Sequence, residues 1–303
     1  MILQDKYTEE GNNMNSEMAY TLGMILGNGE IQRKNSETTI TIDIPYKNLY
    51  TDDLKDVAIY VKASIVDIRS IIEPLIGHNL KVSELPHSTK MTFTKPNDEY
   101  VMREILRLIG NGRHHSSMRM HPELFSMTVD QKKFLLRGIA DVTGYIRKSN
   151  LAFGQEGMHR VYIEIPGNWY MVIDIANMLK EVDVPVQTID FGHPNFRDAK
   201  LTKYNQGKPN FWKKEHQVKI FANEFIPIGF NIKHKQDALE KYSEELLEYV
   251  DPEKTHKFYW EKKVRRTTKP IHPGENDISL PFEIRGKHFE SWTDLAGYLG
   301  YGK

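Results

Sequence analysis

"LRGIADVTGYIR" runs from Leu136 to Arg147, and "TLGMILGNGEIQR" runs from Thr21 to Arg33. Each reads as an apolar helical run with one glycine inside it, a second glycine at its end, and then a segment of strand character. Glycine inside a helix is unfavourable by about 1 kcal/mol relative to alanine. The matched pair Gly23 and Gly138 therefore asks for a packing reason, namely two helix backbones brought close together. Gly29 and Gly144 are then expected to allow a sharp turn from helix to strand.

The surroundings repeat as well. A helical pattern from Met14 to Leu26 is followed by two strands, "EIQRK" and "TTITIDIP", and by a long amphipathic helix over about 52–76 that stops at Gly77. "NLKVSEL" and "TKMTFT" are two further strands, and "DEYVMREILRLIG" is a closing helix. The second half writes the same order: a helix over about Val129 to Asp141, strands "GYIRKS" and "HRVYIEIP", helix "NWYMVIDIANMLKEV", strands "VQTIDFG" and "HQVKIFA", and helix "DALEKYSEELLEYV". Three anchors tie the halves: Gly29 to Gly144, Pro45 to Pro166, and Gly110 to Gly229. Two copies of αββαββα make a pseudo-dimer, not a solenoid. The expected divisions are an irregular 1–13, a first half over 14–120, a second over 121–250, a basic linker over 251–278 and a strand–helix tail over 279–303.

Composition excludes more than it identifies. The chain has 303 residues, enough for a large core, and 41 basic against 41 acidic side chains, so any nucleic-acid argument must rest on where the charges lie. With no cysteine there is no disulfide, zinc thiolate or cysteine nucleophile, which suits the cytoplasm. No apolar run is long enough to cross a membrane, and the start is too polar for a signal peptide. "GNGE" and "GNGR" lack the strand and Lys-Ser/Thr context of a phosphate loop, and the adjacent His114 and His115 lack a spaced metal partner.

"LRGIADVTG" and "TLGMILGNG" resemble the two signature helices of the LAGLIDADG family, which includes homing endonucleases, intein endonuclease domains, some maturases and some DNA-binding regulators that do not cut. The resemblance covers about 14–250 and implies an α+β pseudo-dimer whose saddle of antiparallel sheets straddles double-stranded DNA. It implies a monomeric, sequence-specific endonuclease dependent on Mg²⁺ or Mn²⁺, cutting where the helix ends meet. The alternatives are a DNA-binding protein that has lost cleavage and a maturase-like RNA binder. In the nucleases an acid stands immediately before the last glycine of each motif and holds metal above the scissile phosphate. Here those positions are Asn28 and Thr143, and neither supplies charge. Glu30 and Asp141 are the nearby carboxylates that could replace them as metal ligands. The resemblance further implies a phosphate-stabilising lysine near the start of the last helix, Lys233 or Lys235, with Arg113 and His114 as first-half counterparts.

Strand alternation sorts Ile40, Ile42, Ile44, Val161, Ile163 and Ile165 inward. The other face collects Gln32, Lys34, Thr39, Thr41, Asp43, Lys90, Thr92, Arg147, Arg160, Tyr162, Glu164, Gln217 and Lys219. Long donors with a few acids suit readout of base edges, although a solvated sheet face has the same alternation. The linker cluster Lys262, Lys263, Arg265, Arg266 and Lys269, with Phe258, Tyr259 and Trp260, reads as an arm along a phosphate backbone. In the tail, Ser291 would cap a helix carrying Trp292, Leu295 and Leu299.

Overall fold

Helix α1 (Ser16–Asn28) begins at Asn15, whose side-chain oxygen accepts the Met18 N–H at 2.8 Å, and every residue from Met18 to Gly27 is buried. A helix apolar on all sides belongs in the middle of a protein. Its counterpart α4 (Val129–Thr143) opens on a capping box between Thr128 and Gln131. The computed structural model describes residues 14–46, 54–77, 80–110, 112–147, 159–190, 215–249, 282–284 and 287–289.

α1 and α4 pack directly on each other through their glycines. A Cβ on Gly23 would lie 2.1 Å from the Leu135 carbonyl oxygen, and one on Gly138 would lie 2.2 Å from that of Tyr20. Further along, Gly27 faces Ile139 and Val142. The contacts advance in the same direction on both helices, so the two run parallel and their C-terminal ends emerge side by side.

From each helix the chain turns into a sheet. β1 (Gly29–Arg33), β2 (Glu37–Pro45), β3 (Lys81–Leu85) and β4 (Ser88–Pro96) form one antiparallel sheet in the order β1-β2-β4-β3. β5 (Gly144–Arg147), β6 (Arg160–Pro166), β7 (Thr188–Asp190) and β8 (Glu215–Phe221) form the second in the equivalent order β5-β6-β8-β7. Helices α2 (Leu54–Ile76) and α3 (Tyr100–Leu108) accompany the first sheet; α5 (Trp169–Glu181), the short α6 (Ala222–Phe225) and α7 (Lys233–Tyr249) accompany the second. The duplicated αββαββα order is thus the architecture of the chain, with α6 added. All six isoleucines and valines expected inward are buried.

Gly110 and Gly229, matched by sequence, share a left-handed conformation at φ +68° and +65°. Gly29 and Gly144 differ from expectation: both are extended, at φ −103° and −89°. Close approach, not turn geometry, selects them, because a Cβ would meet the Ile25 oxygen at 2.5 Å and the Ala140 oxygen at 2.7 Å.

The segment joining the halves is held down by α5. Arg119 forms an ion pair with the buried Asp174 at 2.8 Å, and the Asn168 side-chain amide donates to the His115 and Met118 carbonyls. Two short strands, β9 (Phe282–Ile284) and β10 (Lys287–Phe289), pair antiparallel. The irregular start, the basic linker and the Ser291-capped helix lie outside the described residues.

Alanine exceeds glycine in helix propensity by about 1 kcal/mol, yet Gly138→Ala should lower stability by about 3 kcal/mol through backbone overlap with α1. Gly110→Ala, where a Cβ meets nothing within 4 Å, should cost only about 1–2 kcal/mol from its left-handed backbone. Urea unfolding of the two variants checks the ranking.

Candidate nucleic-acid interface and motif ends

The strand registers define which residues of the two halves occupy equivalent places. Gly29 pairs with Ile42 and Gly144 with Ile163, so one step back along each helix sets Asn28 beside Asp43 and Thr143 beside Glu164. Asp43 pairs onward with Lys90, and Glu164 with Gln217. The next outward row is Glu30–Thr41–Thr92 in the first half and Tyr145–Tyr162–Lys219 in the second. A third holds Gln32–Thr39–Thr94 and, correspondingly, Arg147–Arg160–Phe221. Cross-strand partners share a face, so these rows are two versions of one surface.

The motif-end side chains are occupied locally. The Asn28 amide donates to the Asp43 carbonyl at 2.8 Å, which ties the end of α1 to β2. The Thr143 hydroxyl donates to the Ile139 carbonyl, four residues back in its own helix, at 2.6 Å.

Asp141 is not a metal ligand in this arrangement, contrary to the expectation from sequence. It is fully buried; its carboxylate accepts the Tyr20 hydroxyl at 2.7 Å and the backbone N–H groups of Asn231 and Ile232 at 3.1–3.2 Å. It therefore joins α1, α4 and the entrance to α7. Burial raises the pKa of its carboxyl, while Lys235 and these hydrogen bonds act in the opposite direction.

Lys235 likewise is no open-surface DNA contact. It is 4 % exposed, and its ammonium donates to the Asp141 carbonyl at 2.7 Å. The C-terminal end of a helix carries partial negative charge from its unpaired carbonyls, which favours a cation there. Burial pushes Lys235 down to about 8, and the Asp141 charge opposes that fall. Lys233, the alternative, is an exposed residue opening α7, with its backbone N–H held by Ser64 of α2. Lys233, His234 and Lys235 lie inside the first turn of α7.

At the end of α1 the corresponding place falls to His115, which hydrogen bonds to the backbone of Gly29. Burial first, and then the neighbouring His114, lower its pKa to about 4, so it is neutral at pH 7. Arg113 and His114 are exposed beside it, and His114 bridges to Glu30 through the backbone.

The two outward faces differ in enclosure. On the first, Glu30, Gln32 and Lys34 are exposed, and Thr39, Thr41, Lys90 and Thr92 are half-buried. The Gln32 amide donates to Glu30 at 3.3 Å, and Lys34 reaches Glu37 at 3.5 Å across the hairpin tip. The threonines pair with each other, Thr39 with Thr94 at 2.8 Å and Thr41 with Thr92 at 3.2 Å, so their hydroxyls are not idle donors. On the second, Arg160 and Tyr162 are half-buried, whereas Gln217 and Lys219 are buried, at 5 % and 9 % exposed. Gln217 as a base reader is accordingly corrected: its amide donates to the Glu164 carboxylate, which also accepts the Tyr145 hydroxyl. Lys219 lies 5.5 Å from the centre of the Tyr162 ring, itself stacked on Tyr145.

Mg²⁺ or Mn²⁺ at the motif ends does not fit the residues proposed from sequence. Asn28 and Thr143 bring no charge, Asp141 is enclosed in protein donors, and Glu30 stands in the next row. Among the described residues no three His, Cys, Asp or Glu side chains gather as a metal group, and no helix is long and apolar enough to cross a membrane. The carboxylates nearest the motif positions by register are Asp43 and Glu164. Alternation had placed both on the outward face, but their equivalence appears only once the pairing of all four strands is known.

No family model and no curated protein matches the sequence. Among solved structures, the chain is similar to I-DmoI in complex with DNA and Mn, at 12% identity and a TM-score of 0.37 over 73% of this chain and 96% of that one. It is similar to the LAGLIDADG homing endonuclease I-GzeII in complex with its DNA target, at 8% and 0.40 over 84% and 94%. A third is the LAGLIDADG homing endonuclease I-LtrWI bound to target DNA, at 10% and 0.40 over 84% and 99%.

Lys235 should titrate near pH 8, which NMR of its side-chain amine reads directly. Asp141→Asn should move that midpoint lower, because the Asp141 charge holds it up. The unfolded chain keeps this proton up to about pH 10.4, so Lys235 makes stability rise with pH between about 8 and 10.4.

Proposed function

We propose that this chain binds duplex DNA across the outward faces of its two four-stranded sheets, with the paired ends of α1 and α4 at the centre of the bound site. The observation that carries this reading is the set of equivalent rows on two sheets related by the α1–α4 contact. Such rows offer two half-sites to a duplex, one residue type against another at each place: Gln32 against Arg147, Thr39 against Arg160, Thr41 against Tyr162. Unequal partners at equivalent places suit a target without strict two-fold symmetry. Arg and Gln read purine edges and Thr a thymine methyl, each good contact contributing about 1–3 kcal/mol of discrimination. The division into halves at about residue 120, and the action of the chain as a monomer, belong to the same proposal.

Cleavage through the motif positions is not part of it. In-line hydrolysis needs cations on the attacking and leaving oxygens, and the neutral, hydrogen-bonded Asn28 and Thr143 are poor anchors for them. A second reading, metal-dependent double-strand cleavage, is favoured by one observation: each half has kept a carboxylate, Asp43 or Glu164, directly beside its neutral motif residue.

Selection from a randomised duplex library at low salt tests the binding reading. The expected result is a single enriched asymmetric site, bound with an affinity that falls as salt rises. Arg160→Ala should relax preference at one position of that site and leave the rest intact. No enrichment, or equal binding to every duplex with no loss on Arg160→Ala, would contradict it. Mg²⁺ or Mn²⁺ added to the enriched complex decides between the two readings by whether discrete fragments form.

A further inference from the structure

The hairpin that carries Gln32 and Lys34 closes on a two-residue loop, Asn35 and Ser36, with the Lys34 N–H donating to the Glu37 carbonyl at 2.8 Å. Two-residue loops favour turns with positive φ, because the twist of those turns matches that of the flanking strands. Neither loop residue has one: among the described residues Asp183 is the one non-glycine at positive φ. Left to itself, such a turn splays its strands. A side chain from outside the hairpin opposes this. The Asn97 amide, just beyond the end of β4, donates to the Lys34 carbonyl at 2.9 Å and to the Asn35 carbonyl at 3.2 Å. Its oxygen accepts the Thr38 hydroxyl at 2.6 Å, and its backbone N–H donates to the Ser36 carbonyl at 2.9 Å. Reversing the amide would set its oxygen against two carbonyls, so its orientation is fixed. Thr38 is fully buried, which anchors the clamp in the body of the first half.

We infer that Asn97 is a positioning residue for the outermost row of the first half-site, holding the hairpin tip, and Lys34 with it, in place before DNA arrives. Lys34 stands six residues beyond Asn28. At about 3.4 Å per residue along a strand and about 3.4 Å per base pair along a duplex, that is about six base pairs from the centre. Lysine favours guanine in the major groove. Its own ion pair, with Glu37 at 3.5 Å, joins two exposed side chains and fixes little. The clamp acts instead on the backbone that carries it, and a tip already ordered spares the cost of ordering it on binding. Among the described residues the arrangement belongs to the first half. In the second, β8 runs directly into α6, and the Ala222 N–H donates to the His159 carbonyl at 3.0 Å. The positioning role rests on the duplex-binding reading; the clamp itself exists in the free chain.

Asn97→Ala in the full chain tests it with two readouts. In the free protein the Lys34 amide should exchange with solvent at least tenfold faster, as read by NMR. In selection from a randomised duplex library, preference at the outermost position of one half-site should fall at least threefold. Preference at the inner positions, and affinity for random-sequence duplex, should stay within about twofold of the wild type. A merely structural role would lower discrimination evenly across the site, and that result overturns the proposal. So does an outermost preference equal to that of the wild type. Unchanged Lys34 exchange in a chain whose wild type enriches a site means that the clamp fails and the duplex reading stands. If the wild type enriches no duplex, the duplex reading falls and the positioning role with it, whatever the exchange shows of the clamp. Should circular dichroism show Asn97→Ala unfolded, Thr38→Val releases the Asn97 amide without removing it. It should produce the same loss confined to the outermost position, and preference retained there would overturn the proposal.

Discussion

Everything in this structure depends on two helix backbones approaching until a carbonyl oxygen of each occupies the place of the other's missing Cβ. Gly23 against Leu135 and Gly138 against Tyr20 fix the separation and the parallel sense of α1 and α4. That sense decides where both helices end, and hence where both sheets begin. Were the helices antiparallel, the motif ends and the first strands would lie at opposite sides of the molecule, and the two outward faces would share no centre.

Around this contact the halves are equivalent in backbone and unequal in chemistry. Asp141 has its counterpart in Leu26, one motif unit earlier, so the carboxylate that ties α1, α4 and α7 together exists once. The cost of burying that charge is offset by three hydrogen-bond donors and the Lys235 ammonium nearby, the arrangement a buried carboxylate requires. Equivalent places on the sheets hold Glu30 or Tyr145, Thr41 or Tyr162, and Thr92 or Lys219. The halves share a frame and differ in the residues it carries, in the core at Asp141 and Leu26 as well as on the outward faces.

Much of the frame was legible in the sequence because it follows from periodicity and from rare residues. Alternation in "TTITIDIP" and "RVYIEIP" assigned six isoleucine and valine side chains to the core correctly but left the buried Glu164 on the outward face, and two glycines inside helices marked the contact between them. The site was less legible for a specific reason. Asp141 and Lys235 are charged residues near a motif end, and in sequence nothing distinguishes a carboxylate facing solvent from one enclosed by Tyr20 and two backbone N–H groups. Asp43 and Glu164 were assigned to one face, yet their relation to Asn28 and Thr143 depends on pairing partners 15 and 21 residues away, given by the registers of β1–β2 and β5–β6. Likewise, the hydroxyls of Thr39 and Thr41 look like free donors in sequence and prove to be paired across β2 and β4.

On the proposed reading, duplex DNA lies along the outward faces of the two sheets with the motif ends at its middle. Hydrogen exchange of the full chain with and without saturating duplex DNA tests this most directly. The account predicts slowed exchange on both sheets together, over 29–45 and 144–147 with 160–166, and little change in α2 and α5. Protection confined to α2, α3 or α5, or to one sheet alone, would contradict it.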